Sequence, residues 1–254
     1  MSLTGGGTLK DAAGFDADRT VPTGGSPLSL KSRSALIIDT TAPAAPTSIG
    51  FASPITSSTS FNVSFAASVE NNLLTHHIKL CEVNDCATSC SIPVDSLTSP
   101  VAVTGDNNKT YYACVQGEDR VGLSSAFARS IGTIQVDTSF ATVTSVSSSK
   151  ADGSYKAGEA ITVSVNFSKA VTLGAGTTVS LLMGNGGAGR TATYASGSGT
   201  STLHFTYTVA SGDLSTNLDV HSTSALSLSA AGSLHDAAGN EAILTLPALG
   251  SAAS

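Results

Sequence analysis

Residues 3–29 of this chain align without a gap with residues 228–254, and that internal match narrows the possible folds more than composition does. The two copies share Gly7 and Gly232, Leu9 and Leu234, Asp11-Ala12-Ala13-Gly14 and Asp236-Ala237-Ala238-Gly239, and Pro22 and Pro247. A long match in fixed register marks a tandem repeat. The chain is therefore expected to begin and end inside copies of one module, as a segment of an array.

Two junctions divide it further. The stretch Asp39-Thr40-Thr41-Ala42-Pro43-Ala44-Ala45-Pro46 carries two prolines, which fix φ and withhold backbone donors, so no sheet runs through it. Hydrophobic residues followed by Asp-Thr recur at Ile134-Gln135-Val136-Asp137-Thr138. The expected modules are residues 1–43, 44–137 and 138–254.

Inside them the apolar residues alternate: Phe61, Val63 and Phe65; Ile78 and Leu80; Tyr111, Ala113 and Val115; Ile161, Val163, Val165 and Phe167; Leu203, Phe205, Tyr207 and Val209. Alternation puts one face of a strand on a core and the other in water. With only 12% charged residues, 25 glycines and no helical period, short strands split by tight turns are expected, so the fold class is all-β.

The net charge of −6 leaves no basic stripe for phosphates, which argues against nucleic acid. No apolar run approaches the roughly 18 residues that span a bilayer. The start, MSLTGG, is no signal peptide, so any export signal is expected outside this sequence.

The passage from Thr110 to Gly122, TYYACVQGEDRVG, resembles the penultimate strand and following turn of fibronectin type III and related Ig-like domains, although the tryptophan usual there is absent. In the third module the order G-x-Y-x-x-G from Gly153, an alternating strand, F-S-x-A-V from Phe167, R-x-A-x-Y from Arg190, and D-A-A-G-N from Asp236 is similar to the Ig-like repeats of large bacterial surface proteins and adhesins. The resemblance implies tandem antiparallel Ig-like and fibronectin III-like β-sandwiches acting as a stalk of a secreted or surface-anchored bacterial protein. A glycan-binding or protein-binding module is the alternative, and accessory domains of an exported enzyme a third. It also implies that Lys169, where such repeats more often carry an acid, touches the surface and not the fold. A further strand is expected after Ser254, like that before Asp39, so residues 30–40 of one chain are expected to complete the third module of another.

Four cysteines all fall in the middle module, and an even count in a protein resembling exported ones suggests two disulfides among three pairings. In such a sandwich the strands of Cys81 and Cys114 are neighbours, which favours Cys81–Cys114 with Cys86–Cys90 closing a small loop. Three D-x-x-G turns start at Asp11, Asp119 and Asp236. Their aspartates suit capping of their own backbone, with glycine at positive φ. Calcium at domain junctions, held by Asp39, Asp119, Asp137 and Glu118, is the competing reading. The G-x-G-x-x-G of Gly184, Gly186 and Gly189 lacks a strand-helix setting and reads as a hairpin loop. Of His76 and His77 at most one can face the core, and neither the histidines nor the serines form a catalytic set. The chain is expected not to be an enzyme.

Overall fold

The computed structural model describes residues 12–16, 38–184, 189–229 and 231–250. Seventeen strands and no helix occur among them, so the chain is all-β. The N-terminal copy of the repeat is described only at 12–16, and residues 30–37 of the expected donor strand lie outside the described residues. Within 12–16, Gly14 has φ +89°, the same value as its twin Gly239.

The middle module contains β1 (Thr47–Gly50), β2 (Ile55–Thr56), β3 (Ser60–Ala66), β4 (Leu73–Cys81), β5 (Val94–Ser96), β6 (Val101–Thr104), β7 (Lys109–Asp119), β8 (Ala128–Arg129) and β9 (Ile134–Val136). One sheet has the order β1-β3-β6; the other has β2-β9-β7-β4-β5, with β8 also on β7. Every second residue faces between them. Val63, Phe65, Val101 and Val103 from the first sheet meet Ile78, Leu80, Ala113, Val115, Ile134 and Val136 from the second.

The third module contains β10 (Val143–Ser148), β11 (Ala160–Leu173), β12 (Val179–Gly184), β13 (Arg190–Ser196), β14 (Thr200–Thr208), β15 (Asp219–Val220), β16 (Leu226–Leu228) and β17 (Leu234–His235). Its hydrogen bonding is continuous, in the order β10-β11-β14-β13-β12-β15, with β16 on β12 and β17 on β11. β13 is paired on both sides, Thr193 with Ser180 of β12 and with Thr206 of β14. Val163, Val165, Leu181, Ala192, Leu203 and Phe205 fill the enclosed core, which shares no residue with that of the middle module.

The pairing of β11 with β14 is interrupted once. Asn166 pairs with Thr202 and Val171 with Thr200, so Phe167 to Ala170 stand opposite Ser201 alone. A bulge of this kind bends the strand. Ser168 anchors the bulge through its N–H to Thr142 O (2.8 Å) and by accepting the Thr142 N–H at Oγ (3.0 Å). Lys169, inside the bulge, keeps the inward parity of Phe167 and Val171 and is half-buried.

Candidate functional site

The disulfides differ from the expected pairing. Cys81 is bonded to Cys90 and Cys86 to Cys114, with Cα separations of 4.0 and 5.7 Å. Register is the reason. Cys81 lies opposite Tyr112, while Cys114 lies opposite Lys79, so Cys81 and Cys114 are diagonal neighbours. Diagonal positions stand about 7–8 Å apart at Cα, beyond the reach of a disulfide. The loop after β4 instead folds back over the sheet, with a bridge between Cys81 and Cys90, and brings Cys86 down onto β7. Asp85 braces the loop by accepting from the Thr88 hydroxyl and from the Thr88 and Ala87 N–H groups, which lowers its pKa to about 2.

Next to this loop, adjacent histidines on β4 face opposite ways and titrate in opposite senses. His76 is buried; its Nε2 accepts the Ser68 N–H (3.0 Å), so Nδ1 carries the proton and donates to Ser96 O (3.2 Å). That is a neutral imidazole, and burial lowers its pKa below 6.5. His77 points outward between Asp95 (2.6 Å at Nδ1) and Glu118 (2.5 Å at Nε2). Desolvation opposes its charge, but hydrogen bonds to Glu118 and Asp95 outweigh that and raise its pKa. The stabilisation from His77 is complete below the unfolded value of 6.5 and is lost as pH rises through the folded value. His76 acts in the other direction, subtracting stability as pH falls below 6.5. The middle module should therefore be most stable near pH 6.5. In urea titrations at several pH values, H77A is expected to cost about 1 kcal/mol at pH 6 and almost nothing at pH 9. An equal cost at both would dispose of the charged form.

The second junction is held by charge. Asp137 donates its N–H to Thr56 O (2.9 Å) in the middle module, while its carbonyl accepts from Asn240 Nδ2 (2.8 Å) in the third. Both oxygens of its carboxylate accept from Lys169 Nζ (2.8 and 2.7 Å). The same ammonium donates to Ser139 O (2.7 Å) and approaches Asp236 Oδ2 at 3.4 Å. Burial works against charging Lys169, yet the hydrogen bond to Asp137, and then Asp236, raise its pKa. Burial likewise works against ionised Asp137, but Lys169 and Ser139 outweigh it and lower the pKa. The expectation that Lys169 matters only to the surface is therefore too weak: it lies on the inward parity of β11 and its ammonium reaches Asp137 and Ser139. Sequence showed the two aspartates; nothing in it showed that Lys169 and Asn240 would meet them.

The four carboxylates of the competing calcium reading, Asp39, Asp119, Asp137 and Glu118, occupy three environments. Glu118 belongs to the outer face of β7, with His77. Asp137 belongs to the second joint. Asp119 is buried and caps its own turn, Oδ1 accepting from Val121 and Leu123 N–H (both 2.9 Å), with Gly122 at φ +86°. Asp236 repeats this with Ala238 (2.9 Å) and Asn240 (3.0 Å), as the capping reading expects. Asp39 accepts from Thr41 N–H (2.9 Å) and from Asn72 Nδ2 (2.7 Å). Asn72 in turn accepts the Arg120 N–H (3.0 Å) at its backbone carbonyl, next to Asp119. Two oxygens here, Asp119 Oδ2 and Asn72 Oδ1, are buried without a hydrogen-bond partner. Among the described residues no group of three or more His, Cys, Asp or Glu is arranged to hold a metal ion.

Gly184 ends β12 and Gly189 (φ +76°) precedes β13, and the two strands pair antiparallel; Gly186 lies outside the described residues. An open groove of about 820 Å³ lies near the start of β11, lined in part by Val146, Tyr155, Ile161, Tyr207 and Leu218. It is far from the cysteine loop. That loop has no aromatic residue; Phe127 and Tyr112, both half-buried, carry Lys79 at 3.9 Å and Arg129 at 4.7 Å over their rings.

No family model matches the chain, and no curated relative does. Among solved structures it is similar to a chitinase from Bacillus thuringiensis, at TM-score 0.31 and 13% identity over 81% of this chain and 29% of that one. It is also similar to the FN1–FN3 domains of chicken CNTN1, at TM-score 0.32 and 8% identity over 79% of this chain and 64% of that one. The chain thus spans less than two thirds of the length of either, and likeness at this level says nothing about activity.

Proposed function

We propose that this chain is a stalk segment of a secreted or surface-anchored bacterial protein of the adhesin type, built to hold other parts at a distance. The observation that carries the reading is Asp137, whose backbone N–H is fixed in one module while its carbonyl and carboxylate are fixed in the next. A residue shared in this way turns a linker into a joint. Two disulfides in one module suit an oxidising compartment. The lack of aromatic residues in the cysteine loop itself favours a spacer over a glycan-binding or protein-binding surface.

Single-molecule stretching of the full chain tests this. Two separate unfolding steps are expected, and reduction should lengthen one of them by roughly 100 Å, the contour that the 28-residue Cys86–Cys114 separation hides. Specific binding of the chain to a glycan or a surface protein, together with a single gradual extension, would reverse the assignment.

Calcium belongs to this reading at the first joint only. Asp119 Oδ2 and Asn72 Oδ1 are hard oxygen donors buried without a partner, and Asn72 also bonds Asp39; these side chains would be part of the six to eight oxygens that calcium takes. Bound there, calcium would supply the positive charge that these oxygens lack. At a hundredfold excess over its Kd, calcium is expected to stabilise the middle module by about 2.7 kcal/mol relative to chelator. An unmoved unfolding midpoint in D119N and wild type alike would remove calcium from the account.

A further inference from the structure

The two joints are made from equivalent turns but are not equivalent chemically. Asp119 and Asp236 sit at the same position of D-x-x-G turns, each with Oδ1 bonded to the amides two and four residues on. The difference lies at the second oxygen. Asp119 Oδ2 has no partner, whereas Asp236 Oδ2 faces Asn240 Nδ2 at 3.1 Å and Lys169 Nζ at 3.4 Å.

Lys169 Nζ is ringed by oxygens in the way a bound cation is: both Asp137 carboxylate oxygens, the Ser139 carbonyl and Asp236 Oδ2. Calcium binds oxygens at about 2.3–2.6 Å, and a divalent ion on these oxygens would occupy the space of the ammonium. The donor set of the second joint therefore does not fit a metal. We infer that Lys169 is the cation of this joint, carried covalently by the bulge of β11, so that the middle and third modules are locked together without metal. This deepens the reading of the chain as a stalk by naming what governs that joint: it holds in chelator, where a metal-set joint loosens.

Without the ammonium, Asp137 and Asp236 are left facing each other. Asp236 is only 2% exposed at its side chain, so water cannot replace the lost charge cheaply. K169M keeps the length of the side chain and removes the charge. K169E instead places a third carboxylate among the same carbonyl oxygens, a set of hard donors with net negative charge that calcium prefers.

The test uses the full chain and measures residual dipolar couplings of both modules in calcium and in chelator, with amide exchange at Ser139 and Asn240 and with counting of bound calcium. Wild type is expected to give one shared alignment tensor for the two modules in both buffers. K169M is expected to give two tensors, with exchange about tenfold faster at both amides. K169E is expected to behave like K169M in chelator, to recover the shared tensor in millimolar calcium, and to bind one calcium more than wild type. A wild-type joint that loosens in chelator, a single tensor in K169M, or a folded K169E that binds no additional calcium each overturns the inference. Recovery of K169E by calcium also guards against a variant that merely fails to fold. None of these results bears on the stretching experiment, so the stalk reading stands or falls separately.

Discussion

F205A is expected to lower the stability of the third module by about 3–5 kcal/mol, with the middle module unmoved. Phe205 is fully buried on β14, opposite Val163 of β11, and meets Tyr194 of β13 edge-on with centroids 6.0 Å apart. It thus bridges β11 and β13, and the cavity left by alanine would open inside the core of the third module. At roughly 3–6 °C per kcal/mol for a domain of this size, the melting transition of the third module should fall by about 10–30 °C. Calorimetry of the full chain, with the two transitions assigned by their response to reduction, checks this. If both transitions moved together, the two cores would form one cooperative unit and the description of separate modules would be wrong.

The second large effect belongs to the disulfides. Removing Cys86–Cys114 as the C86S/C114S pair releases a 28-residue separation, and chain entropy alone predicts a loss of about 3.5 kcal/mol from the middle module. Removing Cys81–Cys90, with a separation of 9, should cost about 2.5 kcal/mol. Peptide mapping without reduction provides the prior check, because a linked Cys81–Cys114 peptide would contradict the observed pairing outright. The larger effect of C86S/C114S is expected even though Cys86 lies in an exposed loop, because the bond constrains the unfolded chain more than it adds contacts to the folded one.

Core burial and disulfide pairing differ in how far the sequence reveals them. The inward residues of β3, β4, β7, β11 and β14 were legible because a strand has a period of two, and burial selects every second side chain whatever the partner strand is. The D-x-x-G turns were legible for a similar reason: aspartate caps amides within four residues, and glycine alone enters positive φ without strain, so the motif carries its own geometry. The inward residues were read well enough to exclude Cys81–Cys114 had the register been known. Register was what was missing. A shift by two residues preserves every inward face and yet decides whether Cys114 meets Cys81 or Lys79.

The candidate site shows the same division. Asp39, Asp119 and Asp137 were singled out because they recur at turns and junctions, and Glu118 because it adjoins one of them. Their partners come from distant sequence: His77 for Glu118, Asn72 for Asp39, Lys169 for Asp137. Local sequence thus determined the strands, their inward faces and the turns, because each depends on a few neighbouring residues and the period of the backbone. The tertiary structure alone decided the disulfide pairing, the division of charges between the two joints and the role of Lys169, because each depends on how strands far apart in the chain are set beside one another.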